Sequence, residues 1–200
     1  MSLAASRVSG AWVDNPSLNG AARVAGAWVD FGPAGGGPTY EAIPLGAPTF
    51  TDLVDAGQSY NMGVEFSLVT SKNCVGVQWR APDGAPAPSG GTHAVAIWDP
   101  VGTRLRYKEF VPVDGILQDI LFAAEDGGPV SIATGGVYVA SVYTLHYVFT
   151  SGSPTGLTSP SGNVVAGDGR LATYNGGSAT APYPSGSFGA TYHISPLIEI

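Results

Sequence analysis

The chain has 200 residues and a mass of 20.3 kDa, one domain's worth of material with room for a short extra segment. Its 29 glycines and 16 prolines exclude an architecture of long helices, and the glycines lack the every-third spacing of collagen. Eight basic against 15 acidic side chains give a net charge of -7, which excludes nucleic-acid binding through backbone phosphates and disfavours an anionic membrane surface.

The first residues, MSLAASRVSGAWVD, lack the basic stretch and apolar core of a secretory leader. No apolar run is long enough to span a membrane. The expectation is a protein that stays in the cytoplasm or leaves the cell by a route other than secretion. An internal repeat follows at an offset of 16 residues: Arg7 to Asp14 (RVSGAWVD) and Arg23 to Asp30 (RVAGAWVD) differ only at Ser9 against Ala25. Each copy reads as one short apolar strand carrying a tryptophan and an Arg/Asp pair. The stretch between them, residues 15–20, reads as a turn. Two readings stand. One is a β-hairpin on the side of the domain. The other is an arm whose Trp12 and Trp28, with Arg7, Asp14, Arg23 and Asp30, anchor it on a partner or a neighbouring subunit. Large aromatic side chains suit that role because they bury much area for little lost rotamer freedom.

Residues 31–38 (FGPAGGGP) read as a linker, which starts the main domain at Thr39. Beyond it, several segments alternate with the period of two of a half-buried strand. In residues 61–70, Met62, Val64, Phe66 and Leu68 share one face. In 73–80, Val75, Val77 and Trp79 oppose Cys74, Gly76, Gln78 and Arg80. Residues 92–99 form a further strand. In 103–110, Leu105 and Tyr107 oppose Arg104, Arg106 and Lys108, a basic row read as a solvated face. Residues 115–124 fit either a strand or a helical turn leading into one. Residues 137–149 read as one central strand, with Val137, Val139, Ser141, Tyr143, Leu145, Tyr147 and Phe149 on one face. Residues 150–189 read as a long excursion, and residues 190–198 close the sheet. The class is all-β: a two-sheet antiparallel sandwich, jelly-roll-like, with an extended N-terminal arm. A barrel is the alternative.

Little in the sequence points to catalysis. His93, His146 and His193 fall in separate segments, and no HExxH pattern is present, so no metal or other cofactor is expected. Asp52 and Asp55 carry only a faint calcium signal. Asp99, Asp114 and Asp126 sit in turn sequences, and Glu65 and Glu109 lie on outward faces, so turn duty and solvation account for the carboxylates. There is no nucleophile elbow and no phosphate loop. Cys74 reads as an inert strand thiol. The expectation is a protein that is not an enzyme. Tyr174 and Tyr183, in the excursion, are the candidate contacts for a glycan.

Three segments also carry a resemblance. They are Gly76-Val77-Gln78-Trp79-Arg80, then Gly91-Thr92-His93 with Ala96-Ile97-Trp98, and Gly136 to Ser141 with Tyr143, closed by Tyr192-His193-Ile194. In order and spacing they resemble a family of β-sandwich domains of unassigned function found in bacterial surface proteins and phage tail proteins. The likeness covers residues 60–198 and lacks a tryptophan of the family's closing strand. The RVxGAWVD repeats resemble short repeats of minor tail or other virion proteins of phages infecting actinobacteria. Together these resemblances imply a virion protein, a minor tail or decoration component. Its arm would hold it to other virion proteins, its sandwich would be displayed for assembly or for adsorption to host surface glycans, and it would form a homo-oligomer, most naturally a trimer. The alternative is a secreted or surface carbohydrate-binding accessory module.

Overall fold

The computed structural model describes residues 5–8, 11–14, 21–24, 27–30, 39–48, 50–54, 58–82, 88, 91–174 and 176–200, with residues 5–30 and 50–54 described by backbone alone. The chain divides into two compact units, residues 1–39 and 40–200. In the first, β1 (Ala5–Val8) pairs antiparallel with β2 (Ala11–Asp14), and β3 (Ala21–Val24) pairs with β4 (Ala27–Asp30). Each copy of the repeat therefore spans the second half of one strand and the whole of the next, a hairpin rather than the single strand that the apolar run implies. The sequence reason is the two-residue connection ending in glycine, Ser9-Gly10 or Ala25-Gly26, which is a hairpin spacing. The two hairpins share one register: Arg7 stands opposite Trp12 and Arg23 opposite Trp28.

The second unit contains β5 (Tyr40–Glu41), β6 (Phe50–Val54), β7 (Tyr60–Leu68), β8 (Lys72–Arg80), β9 (His93–Trp98), β10 (Arg104–Phe110), β11 (Leu117–Leu121), β12 (Val130–Ile132), β13 (Tyr138–Thr144), β14 (His146–Ser151), β15 (Val164–Thr173), β16 (Gly186–Phe188), β17 (Ala190–Thr191) and β18 (Ile194–Glu199). It is an antiparallel β-sandwich. A six-stranded sheet runs β10-β9-β13-β7-β15-β16, and a five-stranded sheet runs β11-β8-β18-β5 with β12 on the outer half of β8. A smaller sheet, β17-β14-β6, takes the chain from β13 through β14 and returns it through β17 to β18.

One core fills the space between the two large sheets. Met62, Val64, Phe66, Val95, Ile97, Ala140, Val142 and Val164 come from one side, and Cys74, Val77, Trp79, Ile120, Ile132, Ile194 and Ile198 from the other. The alternation read in β7 holds: Met62, Val64, Phe66 and Leu68 all enter this core. In β8 the alternation slips by one residue. Leu197 pairs with Gly76 and Ile198 with Cys74, so Val75 is an extra residue in a bulge. Cys74 thereby takes the core position that the sequence pattern gives to Val75. The same device splits the basic row of β10. Arg104 pairs with Trp98 and Arg106 with Ile97, which makes Leu105 the extra residue. Arg104 is sent to the outer face with Tyr107 and Glu109. Arg106 and Lys108 turn toward the core rim, so the row is not the solvated face the spacing implies. There Lys108 Nζ donates to Leu121 O (2.8 Å) and pairs with Asp126 (2.8 Å), and Arg106 donates to Pro129 O (3.3 Å). These two cations tie the edge of one sheet to the other.

Residues 137–149 are two strands, not one. Val139, Ser141 and Tyr143 do face together, but at Leu145 the chain leaves the six-stranded sheet, and Tyr147 and Phe149 pack on the main core from β14. The excursion at residues 150–189 contains a ten-residue strand, β15, which pairs with β7 along its length. Its glycines and a two-residue irregularity at Gly167-Asp168 interrupt the apolar pattern and hide it from a periodicity reading. Residues 115–124 resolve into β11 followed by a single 3-10 turn at Ala124–Asp126.

Strands β7 and β13 approach so closely that Gly63 is required between them. A β-carbon on Gly63 would lie 2.6 Å from Ala140 O and 2.7 Å from Val139 Cγ1. Gly63→Ala is expected to cost about 1–3 kcal/mol in urea unfolding, because the obstacle is backbone in a central strand. Gly189→Ala meets nothing within 4 Å and is expected to leave the unfolding midpoint within error of the parent.

Candidate functional site

The outer face of the six-stranded sheet carries an unusual set of side chains for a surface. Ala94, Ala96 and Trp98 from β9, and Val139, Ser141 and Tyr143 from β13, are all buried there. They are covered by a strap, residues 176–185, entered through Tyr174. Ala181 and Tyr174 pack with Ala94 and Tyr143, while Tyr183 packs with Trp98, Ala96 and Val139. The Tyr183 ring meets Trp98 edge-on at 5.7 Å, and Tyr174 lies 6.3 Å from Tyr143. Hydrogen bonds pin the strap. Asn61 Nδ2 donates to Pro182 O (2.7 Å), and Tyr143 OH lies 2.9 Å from Tyr174 O and 2.7 Å from Gly176 O. Beneath it, Trp98 Nε1 donates to Ser141 Oγ (2.8 Å). Tyr174 and Tyr183 are thus half-buried covers whose rings are engaged with the sheet.

At the edge of the strap, the Tyr107 hydroxyl donates to Glu109 Oε1 (2.6 Å), as does the Ser178 hydroxyl (2.9 Å). Arg104 lies over the Tyr107 ring at 4.7 Å and over Trp98 at 5.8 Å, a cation held on two π faces. Hydrogen bonds from Tyr107, Thr92 and Ser178 hold Glu109 below the usual carboxylate range. Burial and the Glu109 carboxylate together push Tyr107 up to about 12. Glu65, on the same outer face, pairs with Arg170 and accepts the Asp168 N–H (3.2 Å). The outward facing of Glu65 and Glu109 follows the sequence pattern, but both are bonded rather than free in solvent. Asp168 accepts the hydroxyls of Ser153 (2.8 Å), Thr155 (2.8 Å) and Ser187 (3.1 Å), which hold it below its ordinary range. Asp99 accepts Val101 and Thr103 N–H groups, as a turn aspartate does.

The more open polar feature lies at the end of the sandwich where β5, β8 and β18 meet. Two adjoining depressions of about 270 and 280 Å³ share Lys72 and Glu199. Glu41 forms one wall. Ser159 Oγ (2.8 Å), Ser161 N (2.9 Å) and Ser161 Oγ all donate to its carboxylate. Burial works to raise the Glu41 pKa, but the Ser161 and Ser159 hydrogen bonds outweigh it and hold the group low and ionised. Asn73 Nδ2 donates to Glu199 Oε2 (2.8 Å), and Ser131 Oγ donates to Asn73 Oδ1 (3.0 Å). These residues come from five separate segments. No motif joins them in the sequence, and only the pairing of β5 with β18 and of β12 with β8 brings them together.

Of the sequence-derived anchors, Arg7, Trp12, Asp14, Arg23, Trp28 and Asp30 occupy matching backbone positions in the two hairpins, and their side chains lie outside the described residues. Asp52 is likewise described by backbone alone, and Asp55 lies outside the described residues. Trp79 and Trp98 are packed in different places: Trp79 is in the main core and Trp98 is under the strap. Cys74 is fully buried, and burial pushes its thiol up to about 12, far from a nucleophile's range. Among the described residues, no group of three or more His, Cys, Asp or Glu is placed to hold a metal ion, and no helix is long and apolar enough to cross a membrane. Set against known proteins, the sequence matches no family model and no curated protein.

The strap's hydrogen bonds come from separate side chains, so they can be removed one at a time. Asn61→Ala is expected to cost about 1–2 kcal/mol, by loss of the bond from its buried amide to the Pro182 carbonyl, and to speed proteolytic cleavage within residues 176–185. Limited proteolysis read by mass spectrometry checks this. A cleavage rate equal to the parent's would show that the bond does not hold the strap.

Proposed function

We propose that the chain is a non-catalytic structural component of a phage virion, a minor tail or decoration protein. The tandem hairpins fasten it to other virion proteins, and the sandwich is displayed for assembly or host-surface adsorption. The observation that carries this reading is the repetition itself: two hairpins in one register, each setting an arginine opposite a tryptophan. A hairpin with four residues per strand has no core of its own and is at best marginally stable in water. Two copies of one such unit in sequence make sense as two equivalent points of attachment, whose combined hold exceeds either alone. The likeness of RVxGAWVD to repeats in virion proteins points the same way, and assembly as a homotrimer fits a spike or decoration.

The test removes residues 1–30. The remaining sandwich is expected to stay folded and soluble, with an unchanged urea midpoint, and to be lost from purified particles. The double variant Trp12→Ala, Trp28→Ala is expected to reproduce that loss. Retained incorporation in both would overturn the proposal.

A second reading, a carbohydrate-binding accessory module, is favoured by one observation, the convergence of Lys72, Asn73 and Glu199 on the open end depressions. Each depression is large enough for a single sugar ring, and amide, ammonium and carboxylate groups are the usual partners of sugar hydroxyls. On that reading, saturation-transfer NMR with N-acetylglucosamine gives a signal that Asn73→Ala abolishes and arm deletion leaves intact.

A further inference from the structure

Two histidines are sealed at the same end of the sandwich, against consecutive residues of β8. His93, 3% exposed, opens β9 and packs its ring 5.7 Å from Trp79 and 6.0 Å from Phe110. Its Nε2 and the neighbouring Trp79 Nε1 are both buried with no hydrogen-bond partner. An imidazolium carries two N–H donors, and His93 has no acceptor for the one on Nε2. His193, 1% exposed, forms the corner between β17 and β18. Its φ of 51° is in the left-handed region, uncommon outside glycine. Its Nε2 is hydrogen-bonded to Thr150 Oγ1 (2.9 Å), and its carbonyl accepts the Arg80 N–H (3.2 Å). Among the described residues, the charged and titratable groups that act on the two rings are His146 from β14, which faces His93, and Arg80 from β8, which faces His193. Among the described residues no carboxylate lies within ion-pair distance of either ring.

The geometry points to an acid-released latch at this end of the sandwich. Among the described residues a proton on His93 or His193 finds no counter-charge, and on His93 Nε2 no acceptor, so it frees the start of β9 and the β17–β18 corner from the Trp79–Arg80 end of β8. The β7–β13 pairing at the centre of the six-stranded sheet is kept meanwhile.

Burial pushes both His93 and His193 down to about 4. An opened histidine titrates near 6.5, so the opened state binds more protons than the closed one between about pH 6.5 and 4. The closed latch is therefore most stable above pH 6.5. Opening gains up to about tenfold per histidine for each pH unit lost, and gains nothing more below pH 4. The bonded carboxylates Glu41, Glu109, Asp126 and Asp168 are all held below their ordinary range. Their stabilising effect is lost only at lower pH, below about 4.5, so the two windows separate.

Hydrogen exchange of the intact chain, corrected for intrinsic rates, tests the latch between pH 7 and pH 5. Amides at residues 76–81, 93–95 and 192–195 are expected to lose at least tenfold protection, while residues 62–66 and 139–142 keep theirs. The double variant His93→Gln, His193→Asn replaces both titrating rings and is expected to flatten the profile; asparagine tolerates the left-handed φ at the corner. A parallel NMR titration of the imidazole rings in the unaltered protein needs no variant, and both rings are expected to stay neutral in the closed state down to below pH 5. Rings that protonate near pH 6.5 in the closed protein would overturn the latch. So would protection lost equally from every strand, or a pH profile that the double variant leaves unchanged.

Discussion

The centre of the six-stranded sheet is buried on both faces, and much of the remaining structure answers that requirement. Strands β9 and β13 are buried at every position. One face meets the core shared with the five-stranded sheet, and the other needs a cover that the sandwich alone does not supply. The strap provides it. A sheet face under cover cannot leave polar groups unpaired, because each would lose its water without a replacement. The pairing of Trp98 with Ser141, of Asn61 with Pro182 and of Tyr143 with the strap's carbonyls meets that condition. The same bonds order a glycine-bearing segment that has little secondary structure of its own, so burial and order at residues 176–185 arise from one set of contacts.

Bulges decide which side chains reach which surface. The extra residue at Val75 delivers Cys74 to the core. The extra residue at Leu105 divides three basic side chains between two faces. Arg104 then lies on the aromatic rings beside the strap, while Arg106 and Lys108 close the rim between the sheets. In β15 the irregularity at Gly167-Asp168 places Asp168 where three hydroxyls reach it. For a chain with few charges, this is an economical use of them. Among the described residues, Glu41, Asp99 and Asp168 accept from serine, threonine and backbone groups, and Glu109 and Asp119 from neutral side chains, while a lysine or arginine bonds Asp126 and Glu65.

The two units differ in how they can be stable. The sandwich has a single large core, whereas each arm hairpin has strands of only four residues, too short to be more than marginally stable alone. That contrast underlies the reading of the arm as a fastening and the sandwich as the part displayed. The histidine end adds a different property to the sandwich. Its aromatic packing depends on two imidazoles remaining neutral, which makes acidity a variable of the local structure and not only of overall stability.

The all-β class was legible in the residues, because 29 glycines and 16 prolines leave little helix and because the period of two in residues 61–70 survives intact. The turn duty of Asp99 was legible for a similar local reason, since an aspartate side chain bonds the backbone just beyond it. The alternation failed as a guide in β8 and β10, where one inserted residue reverses every face beyond it. It failed also at Leu145, where the chain changes sheets without any turn residue to mark the event. The hairpin nature of the repeat was present in the Ser-Gly and Ala-Gly spacing, but as turn chemistry rather than periodicity. The sequence by itself determined strand character, turn positions and the repeat, since these follow from each residue's own backbone preferences and its nearest neighbours. Only the tertiary structure decided that Trp98 is covered, that Lys72, Asn73 and Glu199 converge, and that His93 and His193 share one end. Those facts depend on pairings between residues far apart in the chain, and no local preference encodes them.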